Sequence, residues 1–360
     1  KVKKNFAFAK IEKIKKEIGV VEKENSFMNR KKYLLVVVAV ATFILNGCSN
    51  GNEQFSNGSE VETETKKGTD YPTKPITIIT HSEPGGGVDL FIRALQPYIQ
   101  EELGQPIVIE NVPGAAGRIG TTQVWNAEPD GYTLLSHSMP LTTVGDVVYD
   151  AEYDILDFEH LIAFDVAPYV VIVKKDSEIQ SFDELIETIK TQSMTNATSG
   201  VGGAMHFQSV IMKDEMGIDF ADIPFNGSNP AMMAVMSGDV DFSIIPYDIP
   251  LPNQGEVKVL VSFGEERLPQ YPDVPCTKEL GYDFQTVDTR RCIVAPPDTP
   301  KEICDCLMDA FVNAAKNPDY LSWAEERGVN LEVLTGEDYY KVSEEAYQLV
   351  EKYKDIVGED

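Results

Sequence analysis

The chain reads as an α/β protein with largely parallel sheets, and three observations carry that expectation. Short β-branched runs alternate with stretches of helical apolar spacing. Glycine-rich turns separate the two kinds of segment. The 360 residues, 42% of them apolar, suffice for two domains with sizeable cores. The organising stretch is Pro84-Gly85-Gly86-Gly87-Val88-Asp89. Ile76-Thr77-Ile78-Ile79-Thr80 before it has the composition of a buried strand. Asp89 fits a helix N-cap, with Phe91, Leu95, Tyr98/Ile99 and Leu103 following at helical spacing. Glycines at such a junction let the backbone turn sharply. The helix start aims free N–H groups and the positive end of a dipole at one point. That suits an anion, and the same residues also make an ordinary unliganded βα turn.

The remaining elements follow in order. Pro106-Ile107-Val108-Ile109-Glu110 is a second strand, and residues 111–120 turn through Pro113-Gly114-Ala115-Ala116-Gly117 into a helix. Pro129-Asp130-Gly131 marks a turn before the strand Tyr132-Thr133-Leu134-Leu135-Ser136. Val170-Val171-Ile172-Val173 is another strand, and Ser181 with Glu184 matches a capping box for a helix over 181–190. Residues 198–206 form a further glycine turn that opens a helix. Residues 223–230 precede a methionine-rich helix, 231–236, whose methionines are expected in the core. Residues 240–245 form a strand ending at Pro246-Tyr247-Asp248. From Pro300 onward the chain is expected to be helical, with Gly328 as a C-cap. Pro97 should kink the first helix, since an interior proline costs roughly 3 kcal/mol. In such β/α alternation ligands bind at the carboxyl ends of the strands.

The first 70 residues concern address rather than fold. A basic run, Asn29-Arg30-Lys31-Lys32, precedes an apolar stretch over 33–45. That stretch falls short of the roughly 20 residues of a membrane span and suits a signal peptide. It ends in Leu45-Asn46-Gly47-Cys48, which resembles the lipobox of bacterial lipoproteins. The resemblance implies cleavage before Cys48 and diacylglycerol on its thiol; the alternative is an ordinary secretory signal with an incidental cysteine. Because 27 residues precede Met28, translation is expected to begin at Met28, with 1–27 a mis-called extension and 28–47 the signal peptide. Residues 48–70 hold little to bury and read as a flexible tether.

The formal charge is −27, and cleavage before Cys48 would leave 20 basic and 54 acidic residues, a net charge of −34. Nucleic-acid binding, which needs basic patches, is excluded as an expectation. Gly-x-Ser-x-Gly, His-Glu-x-x-His and phosphate-loop signatures are missing, and Leu90 stands where a dinucleotide fingerprint needs its third glycine. The histidines, His81, His137, His160 and His206, share no ligand spacing, so neither a metal nor a cofactor is expected. His81, His137 and His206 lie near strand ends or glycine turns, where one of them lines a cleft or all are structural. Cys276, Cys292, Cys304 and Cys306 are even in number, which allows disulfides in three pairings or metal ligation in an exported protein, but free or buried thiols are expected; Cys304 and Cys306 face different sides of a helix and cannot easily pair.

Taken together, the motifs resemble the solute-binding component of tripartite tricarboxylate transporters, the Bug-type binding proteins. The set opens with Tyr71-Pro72-x-Lys74-Pro75-Ile76, the turn at 84–89 and Leu103-Gly104-Gln105-Pro106. It continues through 108–117, Pro129-Asp130-Gly131-Tyr132-Thr133-Leu134-Leu135 and Gly227-Ser228-x-Pro230-Ala231, and closes with Tyr271-Pro272-Asp273-Val274-Pro275 and 295–302. The resemblance implies a two-lobed periplasmic-binding-protein-like fold with two interlobe crossovers near 168–171 and 290–293. Residues 71–169 and 292–360 would form one lobe and 170–291 the other. It implies a carboxylate-bearing solute held by turns from both lobes: Glu83, Pro84, Gly85, Gly86, Gly87, Asp89 and Ser136 from the first. The second would supply Thr198, Ser199, Gly200, Gly202, Gly203, Ala204, His206, Phe225, Gly227, Ser228, Tyr247 and Asp248. Gly85, Gly86, Gly202 and Gly203 would donate backbone N–H groups, and Ser199 and Ser228 hydroxyls. The implied partners are the solute, membrane permease subunits and, through Cys48, the membrane. The implied location is extracytoplasmic, as a monomer.

Glu83 departs from the family pattern, which places a small or apolar residue before the Pro-Gly-Gly turn. A carboxylate there would repel a dicarboxylate or pair with a ligand ammonium, favouring an amino-acid-like solute; alternatively it points to solvent. Two other roles use the same features: a receptor subunit for a membrane sensor, marked by a neighbouring sensor kinase instead of a permease, and an extracytoplasmic enzyme using His81 or His206, marked by turnover.

Overall fold

The computed structural model describes residues 70–359. The expected extension at 1–27, the signal segment at 28–47, Cys48 and the tether before Asp70 lie outside the described residues. The first part of the body runs β1 (Ile76–Thr80), α1 (Gly87–Leu103), β2 (Ile107–Asn111), α2 (Arg118–Trp125), β3 (Thr133–Met139), α3 (Leu141–Val147) and β4 (Glu159–Asp165). It continues as β5 (Tyr169–Lys174), α4 (Phe182–Thr191), β6 (Thr195–Thr198), α5 (Ala204–Met216), β7 (Ala221–Pro224), α6 (Ser228–Ser237), β8 (Phe242–Pro246) and β9 (Val257–Ser262). The return is β10 (Arg290–Ala295), α7 (Lys301–Ala315), α8 (Pro318–Glu326), β11 (Leu331–Thr335) and α9 (Gly336–Glu359).

The strands form two sheets, one per lobe, ordered β11-β4-β10-β3-β1-β2 and β7-β6-β8-β5-β9. β1 pairs in parallel with β2 and β3, and β6 with β7 and β8; the remaining five pairings are antiparallel. The sheets are therefore mixed, which corrects the expectation of largely parallel ones. The cause is the way the chain changes lobes. β5 follows β4 directly into the other sheet, and β10 returns from it. Each enters its sheet from the shared edge and runs away from it, against strands that run toward it.

Apolar runs bury both faces of each sheet. Val170 to Val173 of β5 are fully buried at the centre of the second lobe, against Phe242, Ile244 and the inner faces of α4 and α6. In the first sheet, Ile76, Ile78 and Leu134 pack against α1 and α7, while Ile79, Leu135 and Val294 pack on the opposite face with Tyr339 of α9. A further cluster unites Val144 of α3, Phe207 and Val210 of α5 and Val350 and Tyr353 of α9, so apolar surface also joins the lobes. Burying a side chain of this size contributes about 1.5–3 kcal/mol.

The lobes are linked where Ala167 and Thr289 pair as an isolated antiparallel bridge. The Ala167 N–H donates to the Thr289 carbonyl at 2.7 Å, and the Thr289 N–H to the Ala167 carbonyl at 3.1 Å. Residues 169–171 and 290–293, expected in the crossings, already belong to β5 and β10.

Local expectations meet the structure unevenly. Ser181 caps α4 by accepting the Glu184 N–H at 3.2 Å, but the Glu184 carboxylate accepts from the Gln180 N–H rather than that of Ser181. α1 is one unbroken 17-residue helix through Pro97. Pro97 and Arg93 are both exposed, so the carbonyl deprived of its donor faces water. Gly328, at φ +64, ends α8 with two bonds of a Schellman motif, its own N–H to Glu325 and that of Val329 to Ala324. The tail is not helical throughout, because β11 completes the first sheet. Met232 is buried as expected, but Met233 is 63% exposed.

Candidate functional site

The organising turn closes on itself before it faces anything else. Gly86, not Asp89, is the N-cap of α1, and it supplies no side-chain cap. Asp89 stands in the first helical turn, 2% exposed. Its carboxylate accepts the Gly85 N–H at 2.9 Å, Asn111 Nδ2 at 2.8 Å and Arg93 Nε at 2.8 Å. Burial pushes this carboxyl up, but the bonds from Arg93, Gly85 and Asn111 outweigh it and hold it below its ordinary range. The Gly86 N–H donates to the Glu83 carbonyl at 2.9 Å. Gly85 and Gly86, proposed as solute donors, are thus spent on shaping the turn. Helix geometry leaves the next groups, the N–H of Gly87 and of Val88, without intrahelical acceptors. Glu83, Pro84 and Gly85 are exposed at the tip of the turn.

The second lobe repeats this economy. The Gly202 N–H donates to His206 Nδ1 at 3.2 Å and the Gly203 N–H to the Gly200 carbonyl at 3.0 Å, so these two glycines shape their turn as well. Gly203 caps α5 and Gly227 caps α6, again without side-chain help. Thr198 ends β6 with its Oγ1 buried and unpartnered. The Phe225 N–H donates to the Thr198 carbonyl at 2.9 Å, which sets the 225–228 turn beside the 198–206 turn. Ser199, Gly200, Ala204, Gly227 and Ser228 are half-buried; His206 is buried. A Cβ on Gly202 would lie 2.2 Å from the Tyr149 hydroxyl, so this turn presses directly on the first lobe. Ser136 lies buried in β3, opposite Thr80 and Ile293.

Two proposed solute residues are otherwise engaged. The Tyr247 hydroxyl donates to the Gly328 carbonyl at 2.9 Å and accepts the Asn330 N–H at 2.6 Å, so Tyr247 ties the second lobe to the loop before β11. Asp248 Oδ2 is paired with Arg291, a residue missing from the sequence-derived set. Arg291 is 5% exposed. Its Nη1 pairs with Asp165, its backbone N–H donates to Asp165 Oδ1 at 2.9 Å, and its guanidinium lies 4.1 Å from the Phe91 ring centroid. A Cβ on Gly87 would come within 3.8 Å of Nη2, which places this cation beside the start of α1. Proximity of the two carboxylates holds the guanidinium protonated against the opposing effect of burial.

The histidines are buried. His81 Nε2 accepts the Ser138 N–H at 3.0 Å, and His137 sits between Thr142 and Tyr339. Burial pushes His81 and His160 down to about 4. Cys276, Cys292 and Cys304 are buried free thiols and Cys306 is a half-buried one. A cavity of about 430 Å³ reaches Thr198, Val201 and His206, and one of about 470 Å³ lies between α9 and the second crossing.

Two mixed α/β lobes joined by a double crossing, each offering glycine-capped helix starts at the strand ends, define a two-lobed solute receptor of the periplasmic-binding-protein type. The chain belongs to the tripartite tricarboxylate transporter receptor family, whose model matches residues 91–359. It is 30% identical over 254 residues to protein BugT of Bordetella pertussis, covering 68% of this chain and 77% of that one. Its fold is similar to that of the periplasmic binding protein BugD, with TM-score 0.69, 27% identity and coverage of 80% and 98%. It also matches MatC from Rhodopseudomonas palustris with bound malate, with TM-score 0.70, 24% identity and coverage of 80% and 100%. Members of this family are extracytoplasmic receptors that bind solutes without converting them.

Proposed function

We propose that the protein captures a small carboxylate-bearing solute between its lobes and delivers it to membrane permease subunits of a tripartite tricarboxylate-type transporter, while Cys48 anchors it by a lipid. The observation that carries this reading is the set of three helix starts, α1, α5 and α6, whose N-caps are all glycine. Without side-chain caps their first-turn N–H groups can receive a carboxylate, directly or through water. The malate bound by MatC supports that ligand class. The glycines act by shaping the turns, and Gly87, Val88, Ala204 and Ser228 stand where solute donors are needed.

Thermal unfolding of residues 49–360 against di- and tricarboxylates, acidic and neutral amino acids, aromatic acids and polyamines tests the capture step. A solute at a hundred times its dissociation constant adds about 2.7 kcal/mol, enough to raise the transition by several degrees. If no member raises it and the purified protein carries no solute, the capture reading fails. For the anchor, Cys48→Ser should move the protein from the membrane fraction of expressing cells to the soluble one; retention by the membrane would exclude lipidation at that thiol.

A further inference from the structure

One ion cluster that joins the lobes holds more carboxylate than cation. Among the described residues Arg291 is the one positive charge paired in this cluster, and it serves two carboxylates, Asp165 and Asp248. These two stand differently to it. Asp165 ends β4, adjacent to β10 in the same sheet, and binds both the Arg291 backbone and its guanidinium. That pair lies within one lobe. Asp248 follows β8 in the other sheet, so its pair with Arg291 runs from one lobe to the other. It touches Nη2, the same atom that lies nearest Gly87 at the start of α1. Its second oxygen, Oδ1, is buried and has no hydrogen-bond partner.

We infer that Asp248 is a specificity-determining residue: it occupies, from within the protein, the place that a second solute carboxylate would take on Arg291. The inference rests on the solute-capture reading of the cleft. A dianion approaching this cluster meets a guanidinium already matched by two carboxylates, and its own far carboxylate goes unpaired at low dielectric, a costly state. A solute ending in an ammonium meets the opposite situation, since Oδ1 of Asp248 needs a donor and the cluster has one negative charge in excess. The accepted class is then a solute with one carboxylate for the helix starts and a cationic or other hydrogen-bond-donating end for the cluster. Exposed Glu83 at the rim adds charge of the same sign.

Matched pairs of solutes read this directly. Succinate, glutarate and adipate are titrated beside β-alanine, 4-aminobutyrate and 5-aminovalerate, in each of which an ammonium replaces one carboxylate. The unaltered protein should bind the amino acid of at least one pair tenfold more tightly than its dicarboxylate. Asp248→Asn, which keeps the shape and removes the charge, should shift that ratio at least tenfold toward the dicarboxylate. A dicarboxylate preferred by the unaltered protein, or a ratio that Asp248→Asn leaves in place, overturns the inference while leaving solute capture standing. If no solute of either series shifts either protein, capture of this solute class falls and the inference with it. Should Asp248→Asn lack a cooperative unfolding transition, Asp248→Ala takes its place, and the ratio in the unaltered protein keeps its power to overturn.

Discussion

A guanidinium enclosed by Phe91, Asp165 and Asp248 is only 5% exposed, so it depends on partners from the protein. An Arg buried without them would be strongly destabilising, and this accounts for the carboxylate from the neighbouring strand. Gly202 is constrained in another way: its φ is +68 and the Tyr149 hydroxyl occupies the space a Cβ would need. Any side chain there must displace a first-lobe residue. Glu83 is free of both constraints. It is exposed and forms no hydrogen bond through its carboxylate among the described residues. Glu83→Ala should leave unfolding of the solute-free protein within about 0.5 kcal/mol. If the carboxylate pairs with a solute ammonium, the same change should weaken the best amino-acid-like solute severalfold in a calorimetric titration. Unaltered affinity would remove Glu83 from the site.

Two kinds of helix start satisfy their first turns differently. α4 and α8 begin under Ser181 and Asn317, whose side chains accept first-turn N–H groups. α1, α5 and α6 begin under glycines and leave that task to another acceptor. The first kind of start is visible in a sequence as a polar side chain at a fixed offset, and the Ser181 cap was legible for that reason. The glycine starts were legible as turns, but the bonding within them was not. Whether the Gly85 N–H faces a solute or the Asp89 carboxylate depends on where a side chain four residues on folds back. Several strands were the other blind spot: β4, β9 and β10 went unnamed, and the short ones were fainter still. β7 and β11 are edge strands of four and five residues, and β7 carries no buried apolar side chain to announce it. The partly exposed pattern of β11 is equally faint.

For the whole molecule, acid is the informative variable. His81, His137 and His160 are all pushed down, mainly by burial, below the value of about 6.5 that they have when unfolded. Below about 6.5 the unfolded chain binds more protons, so these groups lose stability for the fold as pH falls, His81 and His160 down to about 4. Asp146 and Asp288 are pushed up to about 6 by burial and work in the opposite sense, since the native state takes their protons first. Glu159 and Asp165 are raised in the same sense, while Asp89 and Glu215 are held down and add to the loss toward acid. His160 offers the cleanest test: its ring stacks edge-on against Tyr339 and Tyr340, and its Nε2 is buried without a partner. His160→Phe should retain that packing and recover about 2 kcal/mol of the loss at pH 5. Unfolding temperatures at pH 7.5 and 5.0 should therefore lie a few degrees closer together in the variant. An equal spread in both proteins would exclude His160 from the acid response.

From sequence alone came the strand–turn–helix rhythm, the family and the turns that gather at the strand ends, because apolar periodicity and glycine spacing act over a few residues and leave a local record. Tertiary structure decided the strand directions and the identity of the charged cluster. Antiparallel pairing arises from how the chain re-enters each sheet, more than a hundred residues apart along the chain for β4 and β10. Arg291 sits in an unremarkable Arg-Arg-Cys run, and only the packing of β10 between β3 and β4 turns it inward to Asp165, while the meeting of the lobes delivers Asp248. A charge acquires its meaning from distance and dielectric, and neither is written in the order of residues.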